Sequence, residues 1–135
     1  MTHLLDTNVC IAAMRGNLEV VQSLQARSPE DCAVSTVSVF ELFAGVFRCN
    51  SPEQEKLKVT TFLEPFHLLP FDWDSAVKAA EIRYQLEKIG TKIGPYDLQL
   101  SGQALSLDLT FVTHNTREFN RITGLRLEDW EREGK

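Results

Sequence analysis

Apolar residues along the chain fall into two alternating patterns, short continuous runs and longer stretches in which they recur every three or four positions. Short apolar runs are typical of buried strands, and the three-to-four spacing is typical of helices. The predicted strands are residues 3–5, 32–36, 67–71, 110–113 and 125–127, and the predicted helices are 6–16, 17–27, 37–47, 51–66, 72–90 and 94–108, with a turn or short helix at 117–122. This alternation predicts an α/β fold with a central, mainly parallel sheet of four to five strands.

Glycine and proline mark several of the predicted boundaries. Gly16 and Gly90 stand where helices are expected to stop, and Pro95 stands where a first helical residue belongs. Pro70 lacks a backbone N–H, so it favours an edge or strand-end position for the third strand. The connections between elements are short and none has the composition of a linker. We therefore expect residues 1–135 to form a single domain.

One acid, Glu41, lies within the otherwise almost wholly apolar helix at 37–47. A helix that is apolar nearly all round is normally buried, and a buried carboxylate is costly unless it is paired, hydrogen-bonded or bound to metal. The alternative is that Glu41 lies on a narrow solvated strip with Ser38, Gly45 and Arg48. This stretch alone does not decide between a functional and a solvated carboxylate.

Other acidic and amide side chains are predicted to meet Glu41 at one edge of the sheet. Asp6 follows the first strand, Asn115 follows the fourth, Glu118 comes one turn later, and Asp97 is in the first turn of a helix. Sites in open α/β sheets form at the carboxyl ends of the strands, where Asp6, Glu41 and Asn115 are placed to meet and Asp97 can join them if its helix starts beside that edge. Singly, each acid has a structural interpretation, as a helix cap, a partner of the helix dipole or a surface charge. Together they would repel one another unless a cation such as Mg²⁺ or Mn²⁺ neutralised them.

Composition limits the function classes. The formal net charge of −5 argues against a protein that coats nucleic acid non-specifically, because affinity for phosphates comes mainly from Lys and Arg. The widely spaced Cys10, Cys32 and Cys49 fit no zinc pattern and are predicted to be free, buried thiols in a reducing compartment. No signal peptide and no apolar stretch of about 20 residues is apparent. We expect a cytoplasmic protein that does not associate with a membrane.

Three motifs, in this order and at this spacing, resemble the PIN domain. They are "LLDTN" at 4–8, "FELFAG" at 40–45 and "IGPYDLQLSGQALSLDLTFVTHNTREFNRITGLRLEDW" at 93–130. More narrowly the chain is similar to VapC, the ribonuclease toxin of type II toxin–antitoxin modules. The resemblance covers essentially the whole chain. It implies a three-layer α/β/α fold and a Mg²⁺-dependent endoribonuclease that inhibits translation and growth by cleaving RNA, often tRNA.

The resemblance also implies roles for individual residues and partners. Asp6, Glu41 and Asp97 match the family's metal-binding acids, with Mg²⁺ as the cofactor and Mn²⁺ able to replace it. The supporting polar positions are Thr7, Asn8 and Thr113. At the fourth acidic position the chain departs from many relatives, with Asn115 or Glu118 as the weaker ligand. The family further implies a homodimer and a cognate VapB-type antitoxin that covers the site.

Five basic residues are candidates for binding the RNA backbone. An equally good interpretation is that they form a solvated rim with no role in binding. They are Arg83, Lys88, Lys92, Arg117 and Arg121. Two other functions stay open at this point. One is a catalytically weak module that acts only by binding RNA or the antitoxin. The other is a phosphatase with Asp6 as nucleophile, which the motif "LLDTN" faintly resembles but which requires a second acid where Asn8 stands.

Overall fold

A five-stranded sheet forms the centre of the computed structural model, which describes residues 1–131. The strands are β1 His3–Leu5, β2 Cys32–Ser35, β3 His67–Leu69, β4 Thr110–Val112 and β5 Leu127–Glu128. Their spatial order is β3-β2-β1-β4-β5, and all four neighbouring pairs are parallel. The predicted parallel α/β sheet is confirmed, and the strand that precedes Pro70 lies at an edge, as expected.

Seven α-helices connect the strands within the described residues. They are α1 Thr7–Met14, α2 Leu18–Gln25, α3 Thr36–Arg48, α4 Pro52–Leu63, α5 Trp73–Lys88, α6 Pro95–Ser106 and α7 Thr116–Phe119, with a 3-10 turn at Pro29–Asp31. Gly16 and Gly90 adopt φ values of +85° and +78°, the left-handed conformation that commonly ends a helix. Both therefore stop helices as predicted. In this part of the chain no helix has the length and apolar character needed to cross a membrane.

The core has two halves, one on each face of the sheet. Because successive residues of a strand point to opposite faces, Leu4 and Leu5 enter different halves. Leu4 packs with the buried residues of α5 and α6, whereas Leu5 packs with those of α1 to α4. Helices thus cover both faces of the sheet, which is the three-layer α/β/α arrangement. Because both faces of the sheet are covered, a binding or active site is expected at the ends of the strands.

The strand order places a switch point at β1. Strand β2 lies on one side of β1 and β4 lies on the other, so His3 pairs with both Cys32 and Thr110. A crevice forms at such a point, outside the carboxyl ends of the two central strands. Asp6 and Thr113 are the residues that directly follow those ends. The topology alone therefore brings them together across more than 100 residues of sequence.

Helix α6 lies unusually close to α5. A Cβ atom added at Gly102 would lie 2.7 Å from the Cα and the backbone N of Ala79 on α5. Contacts that short do not occur, so any larger residue at this position would push the two helices apart. Because Asp97 is in the first turn of α6, this contact helps to fix where Asp97 stands.

Four predictions need correction. The final strand begins at Leu127, not at 125, because the Leu125 N–H is held in a turn by the Ile122 carbonyl. The predicted burial of α3 all round is wrong, since Phe40 and Phe47 are exposed. The proposed solvated strip is wrong for Ser38, which is fully buried, whereas Glu41, Gly45 and Arg48 do line one open groove. Of the cysteines, Cys10 and Cys32 are free and buried as predicted, whereas Cys49 is only half-buried.

Candidate active site

Asp6 is held at the end of β1 with its carboxylate free of the usual capping role. Its N–H donates to the Val112 carbonyl at 2.9 Å, which continues the pairing of β1 with β4. Its backbone occupies the N-cap position of α1, yet its side chain makes no capping hydrogen bond. The residue is only 5% exposed. The helix-cap interpretation of Asp6 therefore holds for its backbone but does not account for its carboxylate, which contacts the Thr113 hydroxyl.

Thr113 orients that carboxylate. Its hydroxyl donates to Asp6 Oδ2 at 2.8 Å and accepts the Asn115 N–H at 3.1 Å. Thr113 is fully buried, so its side chain has no competing water to bond. The Thr113 hydroxyl therefore ties the end of β4 to the end of β1 and fixes the Asp6 side chain.

Glu41 is half-buried and contacts the start of α1. The Thr7 hydroxyl donates to Glu41 Oε1 at 2.6 Å, and the Ser38 hydroxyl lies 2.7 Å from the same Thr7 oxygen. Since Thr7 donates its proton to Glu41, Ser38 donates to Thr7. Sequence reasoning did not assign Ser38 to this chain of hydrogen bonds. Its position three residues before Glu41, on the same helical face, was the available signal.

Asp97 carries the largest electrostatic perturbation among the acids of the site. Burial raises its pKa to about 7, with repulsion from Asp6, Glu118 and Glu41 and a hydrogen bond with Glu118 acting in the same direction. Burial also raises the pKa of Asp6, where the Thr113 hydrogen bond opposes the shift and repulsion from Glu41 adds to it. These shared effects show that the acids predicted to converge do lie within electrostatic reach of one another.

The fourth position combines a neutral amide with an acid that is already partnered. Asn115 donates through Nδ2 to Glu118 Oε1 at 3.0 Å, and the Arg121 guanidinium lies 3.8 Å from the other Glu118 oxygen. By contrast, no Lys or Arg of residues 1–131 forms an ion pair with Asp6, Glu41 or Asp97. The three acids are thus the uncompensated members of the group.

The chemistry of these donors fits a hard divalent cation. All are oxygen atoms, and burial together with mutual repulsion raises the pKa values of Asp6 and Asp97, an effect that a bound cation would oppose. Their geometry is more open than a formed metal centre. Throughout the described chain, no three His, Cys, Asp or Glu side chains are gathered closely enough to form a metal-binding group. The acids are near enough to repel one another but are not closed around a common point.

Comparison with known proteins identifies the family. The model of the PIN domain matches residues 3–125. The tRNA(fMet)-specific endonuclease VapC of Salmonella typhimurium is 35% identical, and the alignment covers 94% of this chain and 96% of that protein. The chain belongs to the PIN-domain family, among the VapC proteins.

Further relatives agree with this assignment. Ribonuclease VapC2 of Rickettsia felis is 32% identical over 98% of this chain and its own full length. The crystal structure of DNA-bound VapBC from Salmonella typhimurium contains a chain that superposes with a TM-score of 0.91 at 33% identity. That superposition covers 96% of this chain and 98% of the other. The expected PIN fold is therefore confirmed over nearly the whole sequence.

The basic residues predicted to bind RNA occupy three places on this PIN domain. Arg83 pairs with Glu87 at 3.1 Å, and the Lys88 ammonium lies 5.5 Å from the centre of the Tyr84 ring. Lys92 lines a surface cavity of about 300 Å³ with Arg83, beside the start of α6. Arg117 is exposed on α7, and Arg121 pairs with Glu118 next to the acids. Arg121 is thus the basic residue that the structure connects directly to the acidic site.

Proposed function

We propose that this PIN domain is a Mg²⁺-dependent endoribonuclease and the toxin of a type II toxin–antitoxin module. The observation that carries the proposal is the set of three acids, Asp6, Glu41 and Asp97, at the switch point of the sheet. None of them has a Lys or Arg ion-pair partner within residues 1–131, and two have raised pKa values. The similarity to proteins named VapC supports the same activity.

In this proposal Asp6 and Asp97 hold the cation, and Glu41 binds it directly or through water. When bound, a divalent ion stabilises negative charge on the scissile phosphate and lowers the pKa of a coordinated water molecule. Thr113 keeps the Asp6 carboxylate in one orientation through its 2.8 Å hydrogen bond. Thr7 does the same for Glu41. Mn²⁺ should replace Mg²⁺, since both prefer oxygen ligands.

The proposed substrate is RNA, and tRNA in particular. The relative from Salmonella typhimurium is named for cleaving tRNA(fMet), and its alignment covers nearly all of this chain. The five basic residues Arg83, Lys88, Lys92, Arg117 and Arg121 would supply contacts to the RNA backbone around an otherwise acidic site. We place this activity in the cytoplasm, where tRNA is used in translation.

The proposed inhibitor is a VapB-type antitoxin, and a groove beside the acids would accept part of it. The groove measures about 360 Å³ and is lined by apolar residues of α1, α3 and α4, among them Ile11, Met14 and Val59, and also by the charged residues Arg15, Arg48, Glu55 and Lys58. Glu41 lies in the same groove. An amphipathic segment in this groove could therefore place a basic side chain against the acids. Solved VapBC complexes among the structural relatives support such a partner, and we propose a homodimer of the toxin.

A cleavage assay with purified protein tests the proposal. The wild type should cleave tRNA with Mg²⁺ or Mn²⁺, lose activity in EDTA and regain it when the metal is restored. Asp6→Asn should remain folded and inactive. Binding of RNA without cleavage under all these conditions would favour a non-catalytic module. Hydrolysis of small phosphate monoesters without RNA cleavage would favour the phosphatase alternative.

A further inference from the structure

Two exposed aromatic side chains stand beside the acidic site, and each immediately precedes one of its acids in the chain. Phe40 precedes Glu41 on α3, and Tyr96 precedes Asp97 on α6. Their ring centroids are 5.6 Å apart, so the pair connects the two helices that carry those acids. Phe40 is 57% exposed and Tyr96 is 40% exposed. The rim of the site therefore presents aromatic surface to solvent.

The two rings do not stack face to face, because they are tilted by 53°. Each ring keeps part of its surface exposed to solvent. Successive residues of a helix point about 100° apart, which places each ring next to its neighbouring acid but not in front of it. A group bound at the acids would therefore have this aromatic surface within reach of its flanking parts.

We propose that Phe40 and Tyr96 form a stacking platform for an unpaired nucleobase that flanks the cleaved bond of the RNA. This inference rests on the proposed ribonuclease function. Unpaired bases stack on exposed aromatic side chains, whereas bases within a duplex are not available to do so. The acids of the site and the net charge of −5 repel phosphates, so stacking supplies affinity that charge does not. The platform makes Phe40 and Tyr96 substrate-positioning residues that favour single-stranded segments of the RNA.

Another exposed aromatic residue on the same helix provides a matched control. Phe47 is 73% exposed, but it lies seven residues beyond Phe40, about 10 Å along α3. Its ring is 6.5 Å from the ring of Phe43. Neither neighbour of Phe47 in the sequence is acidic. Phe47→Leu therefore removes an even more exposed ring from the same helix without removing one from the site.

The test uses a short single-stranded RNA that the wild type cleaves, and the same RNA with an abasic nucleotide beside the cleaved bond. The abasic RNA should lower the kcat/KM of the wild type by roughly 5- to 100-fold, mainly through KM. Phe40→Leu and Tyr96→Leu should lower kcat/KM for the intact RNA by a similar factor and become insensitive to the abasic change. Phe40→Tyr, Tyr96→Phe and the control Phe47→Leu should behave as the wild type.

Each contrary outcome has a separate meaning. Leucine variants that cleave RNA and remain as sensitive to the abasic nucleotide as the wild type would overturn the platform and leave the ribonuclease proposal intact. The same sensitivity combined with loss of self-association in sedimentation would assign the rings to a protein contact. If no RNA is cleaved, the ribonuclease proposal fails. The platform is then tested alone by binding RNA that contains 2-aminopurine in the presence of EDTA. The 2-aminopurine fluorescence must be quenched by the wild type and must not be quenched by either leucine variant.

Discussion

Asp6 directly follows the central strand β1, and Glu128 ends the edge strand β5. The two carboxylates have opposite electrostatic surroundings. Glu128 accepts the Trp130 indole N–H at 3.0 Å and lies 3.2 Å from His3 Nε2 and 3.6 Å from the Arg27 guanidinium. Burial would raise the pKa of Glu128, but these neighbours together lower it. Burial raises the pKa of Asp6 and repulsion from Glu41 adds to the shift, whereas the hydrogen bond from the Thr113 hydroxyl opposes it.

The Glu128 carboxylate therefore stabilises the fold, whereas the charge of the Asp6 carboxylate destabilises it. The Arg27 guanidinium also lies 4.5 Å from the centre of the Trp130 ring, so the Glu128 group is held by both charge and packing. Asp6, Glu41 and Asp97 have no comparable cationic partner in the described chain. Buried charge without a partner is costly, and such charge is retained at sites that bind or react.

Exchanging one carboxylate in each group for its amide tests the contrast most strongly. Asp97→Asn should lower RNA cleavage by at least about a hundredfold, because it removes a proposed ligand, and should leave the metal-free fold as stable or more stable. Glu128→Gln should leave cleavage unchanged and lower the free energy of unfolding by about 0.5–1 kcal/mol, a small value because the side chain is partly exposed. Cleavage rates and urea unfolding measure both. A larger loss of unfolding free energy in Asp97→Asn than in Glu128→Gln would contradict this contrast.

The fourth position should respond more weakly. Asn115→Ala should reduce cleavage by about tenfold or less, because a neutral amide contributes no charge to a cation and acts by holding Glu118. Glu118→Gln should lower the pKa of Asp97 by removing one of the charges that raise it. The pH profiles of cleavage for the two variants measure their roles. If both pH profiles match that of the wild type, only Asp6, Glu41 and Asp97 contribute to cleavage.

The pH dependence of stability should show the most specific effect. The pKa of Asp97 rises from 3.8 in its ordinary state to about 7 in the fold, so between these values the folded protein keeps a proton that the unfolded chain has lost. Folding then takes up a proton, and the free energy of unfolding from this group falls as pH increases from 3.8 to about 7. Urea unfolding in EDTA should show this decline in the wild type and a shallower one in Asp97→Asn. Equal slopes would contradict the assignment.

Much of the architecture could be predicted because it depends on local patterns. Short apolar runs gave four strands at nearly their observed positions, and Gly16, Gly90 and Pro95 marked helix ends correctly. The convergence of Asp6 and Glu41 followed from one topological rule, that parallel strands end at a common edge, whereas Asp97 joins them only because α6 begins beside that edge. These features need no knowledge of which strands are neighbours.

The remaining features depend on contacts that local patterns do not encode. Phe40 contacts Tyr96, more than 50 residues away, and Ser38 on α3 hydrogen-bonds Thr7 on α1. The start of β5 is decided by a turn at Ile122 and Leu125.

The hydrogen bond from Thr113 to Asp6 has a consequence for protein synthesis. It joins residues 107 positions apart, so Asp6 is made long before its partner strand. At a translation rate of about 5–20 residues per second, the ribosome needs roughly 5 to 20 seconds to extend the chain from one to the other. Until β4 emerges from the exit tunnel, a nascent chain lacks both Thr113 and the strand that aligns Asp6. The arrangement that holds Asp6 is therefore completed only after β4 has left the ribosome.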